Sequence, residues 1–170
     1  LWEDPGYGSE SAHALEFCQV KGGQVQVIDE IYWQGRITQE VIYEAMKRPQ
    51  WRIPDKKLVS DPHFKDAHHS TTSVAEIWLA SPAHLHAFGE RIRIMPGIER
   101  LKGFLKVNPE TLEPGIVFHP RCTGVLSEFG ITLNPFDKQL HAYQWKTDQN
   151  GLSVGDSPDD RWNHGIKAIT

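Results

Sequence analysis

AHALEFCQV, KGG and QVQVIDEIYWQ occupy residues 12–20, 21–23 and 24–34, and together they read as a β-hairpin. QVQVIDEIYWQ alternates along its length, and the paired glycines supply the tight turn between the two runs. Upstream, LWED (1–4) is a short apolar run ended by the turn-rich PGYGSES, which makes three antiparallel strands in succession. Downstream the period changes. Thr38 stands where a helix N-cap belongs, Val41, Ile42, Ala45 and Met46 fall on one face of QEVIYEAMKR, and Pro49 stops the run. KLVSD (57–61) then reads as a short interior strand and SVAEIWLA (73–80) as a helix. RIRIM (91–95) alternates like a strand, GIERLKGFLK is helical, GIVFHP is a strand and CTGVLSEF a helix. The C-terminal SPDDRWNHGIKAIT reads as a loop ending in Asp caps, followed by a helix still running at Thr170.

Three antiparallel strands, a crossover helix, then alternating strands and helices is the order of an α/β, ribonuclease H-like mixed central sheet flanked by helices. The chain has 170 residues with six Trp, seven Phe and four Tyr, enough large apolar surface for one globular domain over 1–170. Cys18 and Cys122 lack a CxxC partner, which argues against a zinc ribbon or a disulfide framework. No apolar stretch is long enough to span a bilayer, and LWEDPGYG lacks the basic flank of a signal peptide, so no membrane partner is expected. A net charge of −4 is unusual for a nucleic-acid binder, and a cluster of acidic metal ligands would account for part of it.

Such ligands stand at strand ends. In the expected topology the first and fourth strands are neighbours, so Asp4 and Asp61 project side by side. Oxygen ligands suit Mg2+ or Mn2+, and a third carboxylate from the C-terminal helix would complete a site for two ions about 3.5–4 Å apart that clamp an in-line phosphoryl displacement.

Asp4-Pro5-Gly6-Tyr7-Gly8, Ser60-Asp61-Pro62, His119-Pro120-Arg121-Cys122 followed by Glu128, Tyr143-Gln144-Trp145-Lys146, and Asn163-His164-Gly165-Ile166-Lys167-Ala168-Ile169 follow one another in an order that resembles the C-terminal nuclease domain of the large terminase subunit of tailed bacteriophages. The resemblance covers nearly the whole chain. It implies a Mg2+- or Mn2+-dependent endonuclease that cuts concatemeric double-stranded phage DNA during genome packaging in the host cell cytoplasm. It also implies three partners: an ATPase domain of the same full-length protein, a small terminase subunit and a portal. No G-x-x-x-x-G-K-[ST] occurs here, so the N-terminal ATPase domain is expected to be absent from this chain.

The sequence departs from that family at its end. A histidine followed three residues later by an aspartate is usual there, whereas here His164 is followed by Lys167, which cannot ligate a metal as a carboxylate does. Asp160 lies four residues before His164 and seven before Lys167, on one face if the helix already includes it, and is the first choice for the third ligand. Asp159 and Asp156 stay open, since one of the three serves as N-cap. His164 then binds metal, orients water or contacts phosphate, and Lys167 stabilises charge at the scissile phosphate.

Plainer readings accompany these. Asp4 and Asp61 each precede proline and suit turns. His119 and Cys122 match half a zinc motif and are read as structural. Glu76 and Glu128 are read as solvated helix positions, Glu10 as a loop charge, and His63, His68 and His69 as an exposed loop beside Asp61. Candidate DNA contacts are Lys21 at the hairpin turn, Lys56, Lys57, Arg91, Arg93, Arg100, Lys102, Lys106, Arg121 and Lys146, interspersed with Trp51 and Trp145. A ribonuclease or junction resolvase of the same fold, and a non-catalytic nucleic-acid-binding domain, are the alternative functions.

Overall fold

The computed structural model describes residues 1–6, 11–60, 65, 72–89, 92–159 and 162–170, with the backbone alone at 156 and 157. Its centre is a six-stranded sheet of β1 (Trp2–Asp4), β2 (Ala12–Lys21), β3 (Gln24–Gln34), β4 (Leu58–Ser60), β5 (Ala87–Phe88) and β6 (Ile116–Phe118). The spatial order is β5-β4-β1-β2-β3-β6. β1, β2 and β3 pair antiparallel, while β4, β5 and β6 add on in parallel. This is the mixed sheet expected from the sequence, with β1 and β4 side by side.

Helices cover both faces. On one, α1 (Thr38–Lys47) and α2 (Val74–Ala80) enclose Leu15, Phe17, Ile31, Val41, Ile42, Leu58 and Trp78. On the other, α3 (Ile94–Leu105), α4 (Thr123–Glu128) and α5 (His164–Ile169) gather Val27, Leu101, Ile116, Cys122, Val125 and Ile166 into a second core. Both free cysteines lie in or against this second core, and Cys122 is fully buried. A separate hairpin, β7 (Trp145–Thr147) with β8 (Ser153–Pro158), stands outside the main sheet.

Four expectations change. Ile37, not Thr38, is the N-cap of α1, because the Glu40 carboxylate accepts the Ile37 N–H while Thr38 is buried as the first helical residue. Residues 92–95 of RIRIM form no strand: Ile94 and Met95 open α3, whose Pro96 lies in the first turn, where a missing N–H costs nothing, and Ala87–Phe88 takes the place beside β4. The C-terminal helix begins only at His164, with Asn163 as N-cap and Thr170 as C-cap, so residues 153–158 form a strand where helix caps were expected. Glu128 is not solvated; it is 1% exposed. Glu76 is exposed on α2, as expected, and closes a capping box with Ser73 at the start of that helix.

β1 is three residues long, too short for its ladder alone to hold it firmly. The Glu3 side chain compensates from the α2 face. It is 1% exposed and takes hydrogen bonds from three elements. His13 Nε2 on β2 is at 2.8 Å, Ser60 Oγ at the end of β4 at 3.0 Å, and Trp78 Nε1 on α2 bonds both carboxyl oxygens at 3.0 and 3.1 Å. A buried carboxylate left without such partners would cost several kcal/mol, roughly as much as a small domain can spare. Trp78→Phe removes the indole donor while keeping most of the buried area. It is expected to lower the unfolding free energy by about 2–3 kcal/mol in urea titration. A loss under about 0.5 kcal/mol would show that Glu3 does not depend on α2.

Candidate functional site

The pleat of β1 turns Glu3 toward α2 and leaves Trp2 and Asp4 on the α5 face, with Asp4 paired to Ala14 of β2. Asp4 is 8% exposed, and its Oδ2 lies 2.7 Å from Nδ1 of His164, the first residue of α5. The other ring nitrogen of His164 lies 3.2 Å from Ser11 Oγ. The structure thus brings together two of the residues singled out from the sequence, 160 positions apart.

Why α5 sits there is a question of energetics, since a six-residue helix has no stability of its own. Ile166 anchors it, 4% exposed in the second core. Gly165 allows close approach: a Cβ there would lie 2.8 Å from Val125 Cβ. The first turn also ends on a buried carboxylate. Glu128, the last residue of α4, accepts the N–H groups of Gly165 at 2.9 Å and Ile166 at 2.7 Å, and the Tyr32 hydroxyl at 2.7 Å. α4 is held the same way from the sheet, where Glu30 on β3 accepts the N–H groups of Gly124 and Val125. Gly124 in turn packs on the Tyr32 ring, where a Cβ would collide at 2.2 Å.

Four carboxylates therefore crowd this region. Glu16 and Glu30 are opposite each other across β2 and β3, and Glu128 and Asp29 are near enough to act on them. Burial, then repulsion from Glu30, Glu128 and Asp29, pushes the Glu16 carboxyl well above the usual range. Burial also pushes Glu30 up to about 7 against its two backbone donors, and raises Glu128 against the donors from Ile166, Gly165 and Tyr32. Among the described residues neither oxygen of Glu16 has a hydrogen-bond partner, so its neutral form is the one this site accommodates.

The other residues named from the sequence lie on several elements or outside the described residues. Asp61 follows Ser60, whose β4 runs parallel to β1 with Ser60 paired to Glu3; Asp61 itself lies outside the described residues, as do Asp160, Glu10, His63, His68, His69 and Arg91. The helix expected to include Asp160 begins at His164, so it supplies no helical face shared by the two. Asp159 is half-buried; its N–H donates to Gln144 O, and its carbonyl lies 3.4 Å from Asn163 Nδ2. Asp156 belongs to β8. Lys167 is on α5 and, with Arg93 and Arg100, lines a groove of about 1080 Å3 between α3, α5 and the sheet.

Lys21 lies at the far end of β2 from Asp4, seven residues past Ala14, roughly 23 Å at the usual rise. Lys57 immediately precedes β4, where its carbonyl accepts the Leu1 amine, and Lys56 lies over the Trp51 ring at 5.1 Å. Arg121 is exposed and donates to His119 Nδ1, while Lys146 is exposed on β7. None of these five side chains meets Asp4 in a described bond. Among the described residues no third His, Cys, Asp or Glu completes a metal-binding group. Sequence reading missed Glu3, Glu16, Glu30 and Ser11; only an acid set among apolar neighbours, here in LWED and ALEF, could have flagged the first two.

Raised carboxyl groups bind protons in the folded state that the unfolded chain has released, so their contribution is greatest at low pH and is lost as pH rises through about 7, the value for Glu30. Unfolding free energy is therefore expected to fall between pH 5 and pH 8. Glu16→Gln should flatten that fall and raise the melting temperature at pH 8 by about 3–6 °C, with a smaller gain at pH 5. A melting temperature lowered equally at both pH values would contradict a neutral Glu16.

No family model matches the chain, and no curated protein sequence does. Solved structures do. The nuclease domain of g2p, the large terminase of bacteriophage SPP1, with bound Mn, matches with a TM-score of 0.60 at 15% identity, over 98% of this chain and 80% of that one. The large terminase of a thermophilic bacteriophage matches with a TM-score of 0.65 at 15% identity, over 98% of this chain but 36% of its own length. The complex of that terminase with ATP-gamma-S gives 0.63 at 15% identity, over 98% and 38%. The chain has the ribonuclease H-like fold of phage large-terminase nuclease domains, and spans little more than a third of the thermophilic phage's protein.

Proposed function

We propose that this chain is a nuclease domain of the phage large-terminase kind, a divalent-metal-dependent endodeoxyribonuclease that cuts concatemeric double-stranded DNA during genome packaging. The observation that carries the proposal is the Asp4–His164 contact at the finishing end of β1, beside the strand that leads into Asp61. A carboxylate oxygen and an imidazole nitrogen are a donor pair suited to Mn2+ more than to Mg2+. The SPP1 domain of the same fold, with bound Mn, supports that choice.

In this reading Asp4, Asp61 and His164 hold one cation, and Asp160 is assigned to a second. When bound, the ions activate water and neutralise charge on the leaving oxygen. The chain's own residues do the rest. Asp4 and Ser11 hold the His164 ring from its two nitrogens, so the ring is oriented before metal arrives. Lys167, Arg93 and Arg100, which line one groove, offer positive charge to a phosphate backbone without reading bases. Lys56, Lys57, Arg121, Lys146 and Lys21 lie further out and are proposed only as peripheral DNA contacts. No helix among the described residues is long and apolar enough to cross a membrane. The ATPase domain of the same protein, a small terminase subunit and a portal are the proposed partners, in the host cell cytoplasm.

Plasmid cleavage is the test. Nicking and linearisation are expected with Mn2+ or Mg2+ and not in chelator, and Asp4→Asn, Asp61→Asn and His164→Ala should each reduce the rate at least about 100-fold with the fold retained. Full cleavage in chelator would overturn the metal mechanism. Preference for an RNA–DNA hybrid or a four-way junction over duplex DNA would overturn the terminase assignment while keeping the metal site.

A further inference from the structure

We infer that Glu128 is a positioning residue for His164, setting the imidazole on Asp4 by gripping the helix that carries it. Glu128 touches neither ring nor Asp4 in any described bond. It acts on the backbone, accepting the N–H groups of Gly165 and Ile166, the two residues that follow His164. Those amides belong to the first turn of α5, whose donors have no partner within the helix. A carboxylate there satisfies both and favours the positive end of the helix.

The grip is rigid because each of its parts is confined. Glu128 is 1% exposed, and Tyr32 from β3 donates to the same oxygen that receives Gly165 N–H. α4, which bears Glu128, has its own first turn bound by Glu30. Position is thus handed from β3 to α4, from α4 to α5, and from α5 to the imidazole that meets β1. Asn163, the N-cap, makes no side-chain capping bond, so Glu128 has no understudy at this helix start among the described residues. The Gly165 contact with Val125 leaves little slack for α5 to settle elsewhere.

The inference rests on the reading of Asp4 and His164 as metal ligands for its functional consequence, but its structural half is separable. In metal-free protein, long-range 1H–15N spectra report the His164 tautomer and ring environment. In Glu128→Ala and the milder Glu128→Gln those resonances should shift or broaden, while Ile42→Ala, a core variant on the buried face of α1, lowers stability and leaves them at the parent positions. Mn2+ titration should give a dissociation constant raised about 10–100-fold in Glu128→Ala, less in Glu128→Gln, and unchanged in Ile42→Ala. Turnover should fall with little change in KM for DNA. Tyr32→Phe, which removes one donor and keeps the ring against Gly124, should give a small shift of the same sign, and decides the matter if Glu128 variants fail to fold. Parent-like His164 resonances in Glu128→Gln and Glu128→Ala would overturn the positioning role. Shifted resonances with no Mn2+ bound by the parent would keep it and overturn the metal reading instead.

Discussion

The buried carboxylate of Glu3 is the constraint on which the arrangement turns. It sits on a strand of three residues in the middle of the sheet and ties that strand to β2, β4 and α2 at once. Its neighbours in sequence face the other way, so fixing Glu3 on one side of the sheet fixes Trp2 in the second core and Asp4 beside α5 on the other. Because Ser60 is one of the donors, the same carboxylate also sets how far β4 advances relative to β1. The register of the two strand ends is therefore a polar matter, decided by directional bonds that tolerate little slip.

The opposite face uses the same chemistry in series. Glu30 and Glu128 each accept two backbone N–H groups at the start of a short helix, and each helix is too short to persist without that help. Carboxylates give strong acceptors that a six-residue helix needs, but confining them beneath α4 and α5 raises their affinity for protons. Glu16, with no hydrogen-bond partner among the described residues, is pushed up by its burial and by the charge of those neighbours. Stability here is given up for placement, which is what a site built from distant parts of a chain demands.

Much of this fold was legible in the sequence. The hairpin of β2 and β3 declares itself through length, β-branched residues and a Gly-Gly turn, and the apolar spacing of α1 leaves no other reading. Parallel pairing of β1 with β4 followed from element order. What failed to show was local. RIRIM has a strand's alternation and a helix's first turn in the same letters, and only the packing of Leu101 against Ile116 settles it. The hairpin at 145–158 buries almost nothing on β7, so no hydrophobic period marks it. At the site, strand-end position and likeness to a family point to Asp4 and His164, whereas Glu128 reads as solvated in the sequence because an acid at a helix end is ordinarily wet. Burial of an acid by backbone donors from a helix far along the chain leaves no pattern in a single sequence. The last helix was expected too early, through Asp160, for a related reason: its start depends on Glu128 and Gly165 and not on the aspartates before it.

In the proposed function Asp4 and His164 meet in order to hold a divalent cation. Crystals soaked in Mn2+ and recorded at the manganese edge test it in one anomalous difference map. A peak is expected within roughly 2.0–2.6 Å of an Asp4 carboxyl oxygen and of a His164 ring nitrogen, with the bond between those side chains replaced by bonds to the ion. A map at saturating Mn2+ in which the 2.7 Å Asp4–His164 contact is intact and no peak lies beside it would show that the pair holds no cation.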